Sequence, residues 1–528
     1  MTRSQRITLL AAISGTFVVG VDSTVVNVAL PSIEESLGGG LAGQQWVVNA
    51  YLLMLGSLIL IGGSLGDLFG ERRVFMVGVG GFGAVSIICA VAPTIGVLVL
   101  GRALQGAFGA LLTPGSLALI VAAFPREERG AAIGSWTAWS GIAFVIGPLI
   151  GGWLVDALSW RAIFAINVPF VLMTLALASR IEVGRTPKPG ARVDVVGAVL
   201  CALGLAGPVL ALIEQPLRGW GDPLVFGAAV IGVALLVAFV FWEAYAPHPM
   251  LDLNLFRRRN FAVGNLLTFA MYAGLGVVFF LLVLFLQQVA GYDAIEAGLA
   301  TVPSSVVMFL LSRRFGALAD RIGPRPLMGF GPLVAASGIL WLSRLSSDPT
   351  FLADVLPPLL IFSLGLSMTV APLTAAVLAD ADEGNAGIAS AVNNAIARVA
   401  GLLATAAIGA VVAAQFSSAL DQHLEGVRMD RATAAIVTQA RQRSLGTVDA
   451  PSLPAPERAQ LKEATSAASE SAFRKGLEIA ACLVALGGVV ALIGVRTPAK
   501  PCIAADCPGG QLAGAPLEAG RTPAGAPA

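Results

Sequence analysis

The chain has 528 residues, 56% of them hydrophobic and only 12% charged, with a formal net charge of +1. Soluble domains carry about 25% charged residues, so a soluble globular protein is excluded, and the near-neutral balance gives no footing for nucleic-acid binding. Unbroken apolar runs of about 20 residues, rather than short alternating strands, indicate an all-α polytopic membrane protein.

About fourteen spans are expected in chain order: 7–30, 44–66, 74–92, 95–121, 130–155, 160–179, 194–213, 222–242, 261–288, 296–319, 327–345, 352–378, 387–414 and 472–495. The first follows a short basic start and runs too long for a secretion signal, so it reads as an uncleaved span. Short loops on one face hold Arg72, Arg73, Arg126, Arg129, Arg180, Arg185, Lys188, Arg192, Arg257, Arg258, Arg259, Arg321 and Arg325, against Arg161, Arg218 and Arg344 on the other. The positive-inside rule then places both termini in the cytoplasm. A long outer loop is expected over 415–471, and a Pro-, Ala- and Gly-rich disordered cytoplasmic tail over 496–528.

An internal repeat organises these spans. The segment from Gly63 through Asp67, Gly70 and Arg72 recurs from Gly316 through Asp320, Gly323 and Arg325. Duplicated halves are common in secondary transporters, with the substrate site between them. The repeat divides the chain into a six-helix half over 1–180, two inserted helices with flanking loops over 181–258, and a second six-helix half over 259–495.

Asp22 lies inside the first apolar run, where a carboxylate is costly and usually marks a proton or substrate pathway. Two histidines, His248 and His423, and five cysteines, with Cys502 and Cys507 at neither a zinc nor a redox spacing, give no metal site and no cofactor. No Gly-rich phosphate loop ending in Gly-Lys-Ser/Thr is present, so energy must come from an ion gradient.

Six motifs follow in order: Asp22 to Pro31, Gln45 to Tyr51, Gly63 to Arg73, Arg102 to Gly106, Gly141 to Gly152 and Trp160 to Pro169. Together they resemble the major facilitator superfamily, and more narrowly its 14-span drug:proton antiporters of the EmrB/QacA type, over about residues 5–495. The resemblance implies the two-half fold, proton-coupled export of drugs or other amphipathic small molecules by alternating access, and a place in the cytoplasmic (inner) membrane. The fifth-span motif, as an antiporter motif, disfavours uptake. Some relatives that export dications carry an acid within span ten. Here only Glu296 stands at its mouth, so dication efflux is not implied.

Asp22 and Arg102 are the expected proton-coupling pair. Arg102 keeps its charge and needs a partner or water in a membrane. Both residues lie roughly 10–12 Å below the outer ends of their spans at about 1.5 Å per residue. Gating is assigned to Gly63, Asp67, Gly70, Arg72, Asp320 and Arg325, with Asp67 capping a helix and Arg72 pairing with an acid across its loop. Gly147, Pro148, Gly151 and Gly152 are assigned to gating as well, as a tight, bendable seam between the halves that prevents leak. Asn27, Trp46, Asn49, Asn265, Phe269, Gln287 and Gln288 are the expected cavity lining for substrate. Arg398 either binds an anionic substrate or meets Asn393 or Asn394.

The expected partners are a small-molecule substrate, protons and the lipid bilayer. A periplasmic adaptor enters only in a host with two membranes. The competing readings are a dedicated exporter of one metabolite or self-made antibiotic, and a membrane-embedded receptor or enzyme.

Overall fold

The computed structural model describes residues 1–181, 193–379, 386–425, 431–447, 450 and 453–496. The expected disordered tail falls outside the described residues apart from Arg496. The first half comprises α1 (Arg3–Leu37), α2 (Gly40–Phe69), α3 (Glu71–Ala90), α4 (Ile95–Ala123), α5 (Arg126–Ala157), α6 (Ala162–Ala165) and α7 (Asn167–Ala178). Then come α8 (Val195–Arg218) and α9 (Pro223–Tyr245). The second half comprises α10 (Arg259–Gln288), α11 (Ala294–Ile322), α12 (Pro324–Leu342), α13 (Leu356–Ala379), α14 (Ala386–His423), α15 (Arg431–Arg443) and α16 (Ala455–Gly494). No strand occurs among the described residues.

Among the described residues, twelve helices are long and apolar enough to cross a membrane. Two shorter apolar stretches, 145–157 and 162–178, lie where the fifth and sixth spans are expected. The sixth breaks between α6 and α7, just before Pro169, whose missing N–H cannot close a helical bond to the preceding turn.

Helix starts follow local chemistry. Thr2 with Gln5 and Asp293 with Glu296 form capping boxes that satisfy the free N–H groups opening α1 and α11. The tight turns from α2 to α3 and from α11 to α12 are made by Gly70 at φ +92° and Gly323 at φ +86°, conformations that side-chain-bearing residues rarely adopt.

Packing repeats between the halves. In the first, α2 and α3 pack on α4, α1 on α5, and α3 on α7; in the second, α11 and α12 pack on α13, α10 on α14, and α12 on α16. The halves meet along α2/α14, α5/α11 and α1/α10. Inserted α8 packs across α2 and α14, and α9 packs on α8 with only 17% of its apolar window buried, leaving a lipid-suited outer face. The expected long loop 415–471 is largely helical: α14 continues to His423, α15 follows, and α16 begins at Ala455. Its apolar residues, including Leu420, Val437 and Leu461, extend the core of the second half, which explains why this polar-looking stretch folds.

Candidate functional site: a buried ion pair inside the first half

Asp22, midway along α1, and Arg102, in α4, are both buried, and Asp22 Oδ2 accepts from Arg102 Nη1 at 2.5 Å. Asp22 Oδ1 accepts from Asn167 Nδ2 at 2.9 Å and from Gln105 Nε2 at 3.5 Å. Arg102 also donates to Gln105 Oε1 at 2.9 Å and to the Val47 carbonyl of α2 at 3.2 Å. Its guanidinium carbon lies 4.3 Å from the centre of the Tyr51 ring, a cation–π distance. Gln105 Nε2 also donates to Ser86 Oγ of α3 at 2.9 Å, and Ser23 Oγ donates to Tyr51 Oη at 3.2 Å.

One carboxylate and one guanidinium thus balance each other inside a cage drawn from α1, α2, α3, α4 and α7. A buried pair of this kind adds little net stability, but removing one partner strands the other charge. A proton on Asp22 would do so without altering the sequence. Asn167, Gln105, Ser86 and Tyr51 were not assigned to this site from sequence. Asn167 and Gln105 stand inside two of the motifs, and the signal available was a polar amide within an apolar run.

The repeat residues act at one end of the bundle, termed here the basic end. Arg72 donates from Nε to the Ala178 carbonyl at 3.0 Å and from Nη2 to the Ser179 carbonyl at 2.6 Å. Arg325 donates from Nε to the Leu492 carbonyl at 2.6 Å. Each arginine fastens the last helix of its own half through main-chain carbonyls at that helix's end. This corrects the expectation of an acid partner for Arg72. Arg72→Ala should cost about 1 kcal/mol of stability, and Arg325→Ala less because it is exposed, with substrate affinity unchanged in both. Thermal unfolding and ligand titration of the purified variants check this. Asp67 is half-buried at the end of α2, the Asp320 side chain lies outside the described residues, and Gly63 has open space around it.

The opposite, far end holds the halves together. A Cβ at Gly152 would strike the Ile295 backbone of α11, and one at Gly298 would strike the Pro148 carbonyl of α5. Asp156 Oδ2 accepts from the Ile295 N–H at 2.8 Å. Gln45 Nε2 donates to the Thr405 carbonyl at 2.7 Å and Gln287 Nε2 to the Val28 carbonyl at 2.9 Å. Gly147 and Gly151 pack on α1 of their own half, against Thr24 and Val25, which corrects the expectation that they line the seam between the halves.

The expected substrate residues do not converge on one cavity. Trp46 donates to Glu214 of α8 at 3.3 Å, Asn265 accepts from Asn393 at 3.0 Å, and Gln287 joins the far-end seam. Phe269 packs on the core, and the Gln288 carbonyl accepts from Thr447. Asn49 is buried with neither side-chain polar atom bonded, and Asn27 is half-buried with no hydrogen-bond partner among the described residues. A cavity of about 180 Å³ lies elsewhere, between α2, α8, α9 and α14, lined by apolar groups including Leu60, Leu205, Phe239 and Val399. Among the described residues, no cluster of His, Cys, Asp or Glu suits a metal.

Residues 12–405 match the family model of the Major Facilitator Superfamily. The chain is 35% identical to the multidrug resistance protein Stp of Mycobacterium tuberculosis (strain CDC 1551 / Oshkosh), over 80% of this chain and 79% of that one. It is 33% identical to the tetracenomycin C resistance and export protein of Streptomyces glaucescens, over 77% and 76%. Its fold matches a bacterial homologue of the human lysosomal transporter Spinster, solved inward-facing and unoccupied, with a TM-score of 0.64 at 16% identity, covering 94% of this chain and all of the other.

Proposed function

The chain belongs to the Major Facilitator Superfamily, and from that membership we propose that it exports drugs or other amphipathic small molecules across the cytoplasmic membrane in exchange for protons. The observation that carries proton coupling is the Asp22–Arg102 pair, a titratable acid whose charge is balanced by one buried cation. In this reading both termini and the basic end face the cytoplasm, as the loop arginines favour.

The coupling path is short. Arg102 bonds both Asp22 and the Val47 carbonyl of α2, and α2 holds α14 of the other half through Gln45. Protonating Asp22 removes the charge that fixes the guanidinium, which then leans on Gln105, Val47 and the Tyr51 ring. The position of α2 against α14 changes with it, and access alternates. Asp67 and Asp320 act as cytoplasmic gate residues, and Asn27 and Asn49, whose amides have no partner among the described residues, are substrate contacts.

Dye efflux and proton movement in inverted membrane vesicles test the proposal. A transported drug should release protons from energised vesicles, and an uncoupler should stop its movement; drug transport indifferent to the proton gradient would remove the coupling. The names of the relatives include both a multidrug resistance protein and an exporter of one antibiotic. A response to a single compound in the panel would select the dedicated exporter.

A further inference from the structure

Arg398 lies in α14, twelve residues from its start at Ala386 and so about 18 Å along the axis. It is partly exposed, and no hydrogen bond or ion pair reaches it among the described residues. The neighbouring amides are engaged elsewhere. Asn393 Nδ2 donates to Asn265 Oδ1 at 3.0 Å and Thr268 Oγ1 at 2.7 Å, and Asn394 Nδ2 donates to the Ser390 carbonyl at 3.0 Å. Asp22, the acid of the first half, is already held by Arg102, Gln105 and Asn167.

The surroundings place Arg398 between the two halves. Across the seam stands Gly56 of α2, and a Cβ there would lie 3.3 Å from the Arg398 Cβ. On the other flank, a Cβ at Gly401 of the same helix would lie 3.9 Å from the Tyr272 carbonyl oxygen of α10. Thr405, bonded to Gln45 at the far-end seam, is seven residues further along the same helix, about 10 Å beyond.

A guanidinium stays charged and is expensive to leave unpaired at membrane depth, where such groups mark substrate paths. Its planar fork matches a carboxylate with two parallel bonds. We propose that Arg398 anchors the acidic group of an amphipathic substrate, a carboxylate or ionised phenol carried on an apolar skeleton. This deepens the exporter reading and rests on it for the transport consequence, while binding can be measured apart from transport.

The test uses the purified full-length chain in a neutral detergent, with fluorescence polarisation of diethylaminocoumarin carboxylic acid dyes, which carry no phenol, each as the free acid and as its neutral methyl ester, and with ethidium as a cationic control. The wild type should bind the acids about tenfold or more tightly than the esters, a difference of about 1.4 kcal/mol. Arg398→Gln should erase that preference, leaving esters and ethidium within about twofold, and Arg398→Lys should keep part of it. Arg398→Gln should also unfold at an equal or higher temperature without ligand, because it removes an unpaired charge. A lower unfolding temperature would reveal a structural partner and overturn the proposal. So would equal binding of acid and ester, binding of neither, or displacement of the acids by phosphatidylglycerol at similar concentrations, which would make this a lipid headgroup site. Proton-driven efflux of ethidium or the esters, in the absence of acid binding, would leave the exporter reading standing while this inference fell.

Discussion

Asp22→Asn is expected to abolish proton-driven export while the purified protein still binds its substrate. The amide can still accept from Asn167, but it cannot carry the charge that balances Arg102, nor gain and lose a proton at working pH. Leaving one member of a buried pair alone costs about 3–5 kcal/mol, so the variant should also unfold earlier. Proton-coupled efflux should fall by about 100-fold or more, equivalent to ~2.7 kcal/mol. Low stability alone would reduce transport too, so the decisive comparison is Asp22→Asn combined with Arg102→Gln. That double variant removes both charges and should recover much of the lost stability, because neutral groups replace both ions. Recovered folding with coupling still absent would place the proton at Asp22. Recovered proton-driven efflux would reduce the pair to a structural brace.

Gly152→Ala is the second large effect, and it should separate from Gly151→Ala. Neighbouring in sequence, these glycines face different helices: Gly151 packs on Val25 of α1 within one half, whereas Gly152 packs on the Ile295 backbone of α11 in the other. A methyl group at Gly151 overpacks a permanent interface and should cost about 1–3 kcal/mol of stability. A methyl group at Gly152 meets main chain that cannot rotate away, so α5 and α11 must part at the far end. The state seen here then becomes unfavourable, and turnover should fall about tenfold or more with little change in unfolding temperature. Transport assays and cysteine cross-linking between the ends of α5 and α11 would register this. Equal loss of stability in both variants would make the whole motif generic packing.

The sequence carried the large-scale arrangement because its signals are physical and long. Apolar runs give the helices, and the repeat around Asp67 and Asp320 predicts two halves with matching turns, which Gly70 and Gly323 make at nearly the same φ. Depth counted in residues put Asp22 level with Arg102, and the two are in contact. The faces of the helices were not legible. Where every side of a helix is apolar, a polar residue does not announce its direction. Trp46, Asn265 and Gln287, grouped as one cavity lining, turn instead to α8, to α14 and to the far-end seam. The partners of Arg72 were hidden for another reason: a main-chain carbonyl at a helix end has no identity in the sequence.

The insertion of α8 and α9 has a further consequence for how a greasy solute arrives. Of the two lateral seams between the halves, α2/α14 is walled off from the lipid by α8, with α9 behind it, whereas among the described residues the insertion does not pack on α5/α11. A solute dissolved in the bilayer therefore meets a one-sided doorway. Entry from the bilayer would be confined to the α5/α11 flank, and would then follow the solute's partitioning into lipid rather than its level in water. Two compounds with equal affinity for the site would then be exported at different rates according to their lipophilicity alone, and deleting the insertion would open a second flank to the membrane.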